Sequence, residues 1–132
     1  MRKLIFFLIL ALGFSLNTLA QHHIQDTCHR ITDQDDQHLE DSMSKQELLA
    51  IKQLKLQNTC GNSSNPELAS FSIILAPLNG PAEIFTSQNS FSQSCLRAIL
   101  NAKSGSSILI ERARFNLDGN AYFVRPQIIY IR

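Results

Sequence analysis

The chain has 132 residues, 44% of them hydrophobic, with 12 basic against 11 acidic side chains and no Trp. That length suits one domain and not two. A product that has lost Arg2 and Lys3 carries 10 bases against 11 acids. A near-neutral chain lacks the concentrated positive face that phosphate binding requires, which excludes a nucleic-acid binder.

Arg2 and Lys3 precede an apolar run at residues 4–16, followed by Asn17, Thr18, Leu19 and Ala20. A basic start, an apolar centre and small or neutral residues before a cut make residues 1–20 a signal peptide. The run is shorter than the ~20 residues of a spanning helix. It therefore predicts cleavage after Ala20 and an exported product, periplasmic or secreted, with no stable membrane span. Residues 21–41 are rich in Gln, His and Asp and have no apolar periodicity. They bury too little surface to offset their ordering entropy, so they are predicted as a flexible acidic arm. The arm carries His22, His23, His29 and His38 among Asp33, Asp35, Asp36, Glu40 and Asp41. It has neither the bend glycine and closing glutamate of a calcium loop nor a paired zinc motif, and no metal is expected there.

The folded part is predicted over residues 42–132. Ser44 and Glu47 form a capping box, with Leu48, Leu49 and Ile51 as the apolar side of a short helix at residues 44–50. Leu54 and Leu56 alternate with Lys55 as in a short half-exposed strand, and residues 58–66 read as a loop. Residues 68–76 are the clearest strand, with Phe71, Ile73 and Leu75 directed to the core. Pro77, Gly80 and Pro81 break that strand, and residues 84–86 form another short one. Ser90 or Ser92 can cap a helix over residues 91–102, whose apolar face is Phe91, Cys95, Leu96, Ile99 and Leu100. Lys103 suits the helix end, and Gly105 can end the helix in a left-handed conformation. Ile108, Leu109 and Ile110 mark a strand at residues 107–115 buried on both faces or nearly so. Asp118 and Gly119 supply a tight hairpin turn, and residues 121–131 return as a strand interrupted at Pro126.

Charge is segregated along the chain. Residues 26–47 hold seven acids against Arg30 and Lys45, and residues 97–132 hold six bases against Glu111 and Asp118. Export permits a disulfide among Cys28, Cys60 and Cys95, with one cysteine left over and the pairing open. No serine sits in a nucleophile elbow, the five glycines are scattered singly, and the carboxylates cluster in the arm. No catalytic residue and no cofactor is expected. The alternative to a protein-binding role is a secreted domain that binds a small ligand or glycan. Against sugar stacking, only Tyr122 and Tyr130 are available beside the absent Trp.

The order of these elements resembles the C-terminal domain of the GldM/PorM family of gliding motility and type IX secretion in Bacteroidota. The run from Met43 to Leu48 resembles the family's short isoleucine-serine-lysine helix, and residues 68–75 its serine-phenylalanine strand. Residues 89–102 resemble its helix, Lys103, Ser104 and Gly105 its lysine-x-glycine stop, and residues 107–114 the following strand. Leu117, Asp118 and Gly119 with Arg125, Pro126, Gln127 and Ile128 resemble its proline-aspartate-glycine and leucine-proline-x-isoleucine close. The resemblance covers residues 43–132. It implies a non-catalytic interaction module with an envelope protein as partner, present here without the family's anchor or stalk. Full-length members are dimers, so it also implies a homodimer. The candidate contact residues are the basic side chains of the terminal hairpin, Arg112, Arg114 and Arg125. The fold expected is α+β: a small, mostly antiparallel sheet or sandwich-like domain with one packed helix and a short N-terminal helix.

Overall fold

The computed structural model describes residues 24–61 and 65–132; the predicted signal peptide and residues 21–23 lie outside them. In chain order the elements are β1 (Ile24–Gln25), β2 (His29–Thr32), β3 (Ser42–Met43), α1 (Lys45–Leu49), β4 (Lys55–Asn58), β5 (Ser70–Ala76), β6 (Glu83–Ser87), α2 (Gln93–Asn101), β7 (Ser107–Leu117), β8 (Asn120–Phe123) and β9 (Gln127–Ile131). The class is mixed α+β, mostly strands, with a mainly antiparallel sheet.

Alternation along β5 sets the two faces of the main sheet. Phe71, Ile73 and Leu75 are buried, as predicted, and the intervening residues are not. Each of these side chains contributes roughly 1.5–3 kcal/mol by leaving water. β5 pairs antiparallel with β6 on one side and with β7 on the other. β7 in turn pairs with both halves of the return: β8 against its C-terminal end and β9 against its N-terminal end. Asp118 (φ 51) and Gly119 (φ 78) make the predicted turn, both with the positive φ that a type I′ hairpin needs.

The inner face is covered by α2, α1 and the separate two-stranded sheet β2–β4, and all contribute to one hydrophobic cluster. α1 starts on the predicted capping box: Ser44 Oγ accepts from the Glu47 amide at 3.2 Å, and the Glu47 carboxylate accepts from the Ser44 amide at 2.6 Å. α2 starts at Ser92, whose Oγ accepts from the Cys95 amide at 3.2 Å. Cys95 and Ile99 are buried against the sheet, and Phe91 meets Phe71 edge-on with ring centroids 6.4 Å apart.

Four expectations are corrected. Leu100 is 58% exposed, because the buried stripe of α2 runs through Cys95 and Ile99 and leaves it on the far side. Gly105 does not end α2. The helix stops at Asn101 through an extended Ala102, and Gly105 (φ 93) sits in the following turn, where its amide donates to the Ile131 carbonyl at 2.7 Å. β7 is fully buried on one face only: on the other, Ser107, Leu109 and Glu111 are half-buried and Arg112 and Arg114 are exposed.

The fourth correction is the arm. Residues 24–41 are not structureless: β1 pairs parallel with β8, and β2 pairs antiparallel with β4. Ile31 and Leu39 enter the core. Asp33 Oδ1 accepts from the Asp35 and Gln37 amides, both at 2.9 Å, and so organises the turn between them. The Gln34 side chain accepts from the Lys52 amide at 2.9 Å. Polar residues supply the order here by satisfying backbone donors, which a search for apolar periodicity does not register.

Candidate interaction surface

The parity of β7 changes midway. Ile108 and Ile110 face the core, then Ala113 and Phe115 do, so one residue more than strict alternation lies between the two pairs. The β5–β7 register shifts at the same place, with Ser72 opposite Glu111 and Ser70 opposite Arg114. The surplus is absorbed by a β-bulge at Arg112, which takes φ 51. Facing it on the return is the break between β8 and β9, from Val124 to Pro126, where the Val124 amide still donates to the Ala113 carbonyl at 2.8 Å.

This irregularity gathers the three arginines proposed from the sequence. Arg112 stands on the bulge, Arg125 in the opposing break, and Arg114 two residues along on the outward side of β7, paired across to Phe123. All three side chains are exposed. None forms an ion pair among the described residues. Arg112 also borders an open cleft of about 500 Å³, with Ile24, Gln25 and Phe123 as the other described lining residues. The bulge therefore presents the Arg112 guanidinium beside a hollow with Ile24 and Phe123 in its wall, at the edge where β1 joins β8. Guanidinium forks suit bidentate recognition of carboxylates.

The cysteines divide as two and one. Cys28 and Cys60 form a disulfide with their Cα atoms 5.1 Å apart, which ties the β1–β2 turn to the end of β4. Cys95 is a free thiol on α2, and burial pushes its pKa up to about 11. Thiolate chemistry at Cys28 is thus closed by the bond, and at Cys95 by the core around it. Tyr122 stacks on Phe115 at 5.1 Å, and Tyr130 lies 55% exposed on the outer face of β9.

Sequence reasoning missed a polar pair beneath the disulfide. Asp26 accepts from the His29 amide at 2.7 Å, and its other oxygen lies 3.0 Å from His29 Nδ1. Both side chains are only 8% exposed, and the imidazole packs on Phe115 with centroids 4.8 Å apart. His29 Nε2 and Thr32 Oγ1 are buried without hydrogen-bond partners among the described residues. The i, i+3 spacing of Asp and His was the available signal, but it carries no weight without knowledge that the segment is ordered. Among the described residues, no three His, Cys, Asp or Glu side chains come together in a geometry that could hold a metal ion. Among those residues too, no helix is long and apolar enough to cross a membrane.

No family model matches the chain, and no curated protein matches it.

Proposed function

We propose that this chain is a non-catalytic, exported protein–protein interaction module, related in role to the terminal domain of the GldM/PorM proteins, with Arg112, Arg114 and Arg125 as its contact residues. The observation that carries the reading is their placement. Three exposed arginines, none in an ion pair among the described residues, stand at the bulge of β7 and the facing break of the return. Bulges re-aim side chains and recur where strands meet ligands or partners. The Cys28–Cys60 disulfide supports an oxidising compartment, and with it export to the periplasm or beyond.

The test is affinity capture of the tagged mature protein from its native envelope, followed by mass spectrometry. Recovery of secretion or gliding components, lost on charge reversal at Arg112 and Arg114, supports the reading. Recovery that is indifferent to those reversals removes the arginines as the contact. If no protein is recovered, the module reading gives way to a small ligand or glycan in the cleft beside Arg112.

A further inference from the structure

The main sheet has two sides along its strand order, and they are finished differently. On the side of the return, the outer edge of β8 carries β1 and the outer edge of β9 carries β3, so both are covered by short parallel strands. On the other side, among the described residues, the sheet ends at β6, which pairs with β5. β6 reads Glu-Ile-Phe-Thr-Ser. It contains no Pro, no Lys and no bulge, and Glu83 at its start is the one charge that guards this edge.

Beside this open edge runs a groove of about 490 Å³ between β6 and α2. The register places Glu83, Phe85 and Ser87 on the groove side of β6, with Ile84 and Thr86 on the outer face. Phe85, Leu75 and Ala98 give the groove an apolar floor, and Ser94 and Arg97 stand on its helical wall. Arg97 and Glu83 line the same groove, yet neither forms an ion pair among the described residues. An edge strand next to a helix-walled groove supplies what strand addition needs. The unpaired backbone gives affinity, and the groove reads every second side chain.

We propose, resting on the interaction-module reading above, that β6 is the docking edge for an extended peptide segment of a partner protein. The segment adds a strand to the sheet. It places one large apolar side chain in the groove beside Phe85 and an acidic side chain two residues away that pairs with Arg97. Like-charge repulsion keeps that acid off Glu83, which sets it toward the Ser87 end of β6. The site is separate from the arginines of the bulge, because β5 lies between β6 and β7, which carries Arg112 and Arg114, and both β5 and β7 lie between β6 and Arg125.

The experiment screens a displayed library of random short peptides against the mature protein, then synthesises the enriched sequence. Hydrogen exchange of the protein is followed with and without that peptide. Enrichment of an apolar residue two positions from an Asp or Glu is expected, with exchange slowed across residues 83–87. Arg97→Glu weakens the acidic peptide by about tenfold, the size of one charge-assisted hydrogen bond, and a peptide with Lys in place of the acid recovers binding. Arg97 is an exposed residue on the groove wall of a capped helix and holds no core position, so this variant folds. Enrichment without slowing in β6, or binding that Arg97→Glu leaves unchanged, overturns the proposal. Slowing of β6 with protein concentration alone overturns it in favour of a second copy on this edge. If β6 stays unoccupied while envelope capture remains sensitive to Arg112 and Arg114, the docking edge fails and the interaction module stands.

Discussion

Glu47 joins the start of α1 to Arg132 through one carboxylate. It closes the capping box of α1, and both of its oxygens accept from Arg132 Nη2, at 3.0 and 2.8 Å. The Ser44 backbone hydrogen bond, then Arg132, hold its pKa down at about 2, below the ordinary 4.5. A carboxylate whose folded pKa is depressed adds stability above its unfolded pKa and loses it as protons bind. The contribution of Glu47 is therefore complete above pH 4.5 and disappears as the pH falls toward 2. The urea midpoint of the parent should exceed that of Glu47→Gln at neutral pH, and the gap should close across that window. A constant gap would mean that packing, and not charge, fixes the difference. Because the group is open to solvent, added salt should narrow the gap as well.

At the scale of elements, the bulge of β7 sets a cost against a use. Arg112 is a residue with a Cβ held at φ 51, a conformation that disfavours L side chains by roughly 1–2 kcal/mol. Glycine meets no such penalty but loses more chain entropy on folding. Arg112→Gly should raise stability by about 0.5–1 kcal/mol in chemical denaturation while reducing partner capture. A gain in stability with capture unchanged would show that the bulge serves the fold alone. Such strain held in place by surrounding structure is a feature of sites that act on something else. The elements differ in how plainly the sequence announces them. β5, the capping box and the Asp118-Gly119 turn rest on local rules, and each lies where those rules put it. The bulge is not among them: the sequence predicts a strand buried on both faces or nearly so, and the switch of its core residues from even to odd positions between Ile110 and Ala113 emerges from the observed burial. β1, β2 and β3 are not legible either. Their order comes from partners far away in sequence, from Asp33 and Gln34 holding backbone amides, and from a cysteine pairing that spacing cannot choose. Of the candidate site, the residue types of the three arginines were readable, while their convergence on one irregularity required the register. The groove beside β6 had no local signature at all.

At the scale of the whole molecule, one covalent bond ties the first strands to the rest of the fold. The Cys28–Cys60 link closes a loop with a sequence separation of 32 residues. In the chain-entropy picture a loop of that size is worth about 3–4 kcal/mol. Mild reduction should lower stability by that order and raise hydrogen exchange first in β1 and β2, where Asp26 and His29 depend on the adjoining turn. A cooperative loss of the entire sheet at once would show that these strands are part of the central unit and not an attachment to it. The same whole-molecule view explains why the two sides of the sheet differ in character. The return side is sealed by the early strands β1 and β3, whereas β6 belongs to a local hairpin with β5 and, among the described residues, no strand lies beyond it.

The parallel pairing of β1 with β8 and of β3 with β9 also sets a schedule. Ile24 finds its place beside Tyr122, and Ser42 beside Tyr130, so the first strands to be made wait for the last. A chain emerging from a ribosome or a channel with its N-terminus leading can form the β5–β6 hairpin and α2 early, because those contacts are local. It cannot seal the return side until residue 131 is free. Until then β3 travels without its partner strand, and truncation of β9 would leave β3 unpaired while β1 keeps its place beside β8. Arrival order, as much as amino-acid content, thus decides when this protein becomes a finished object.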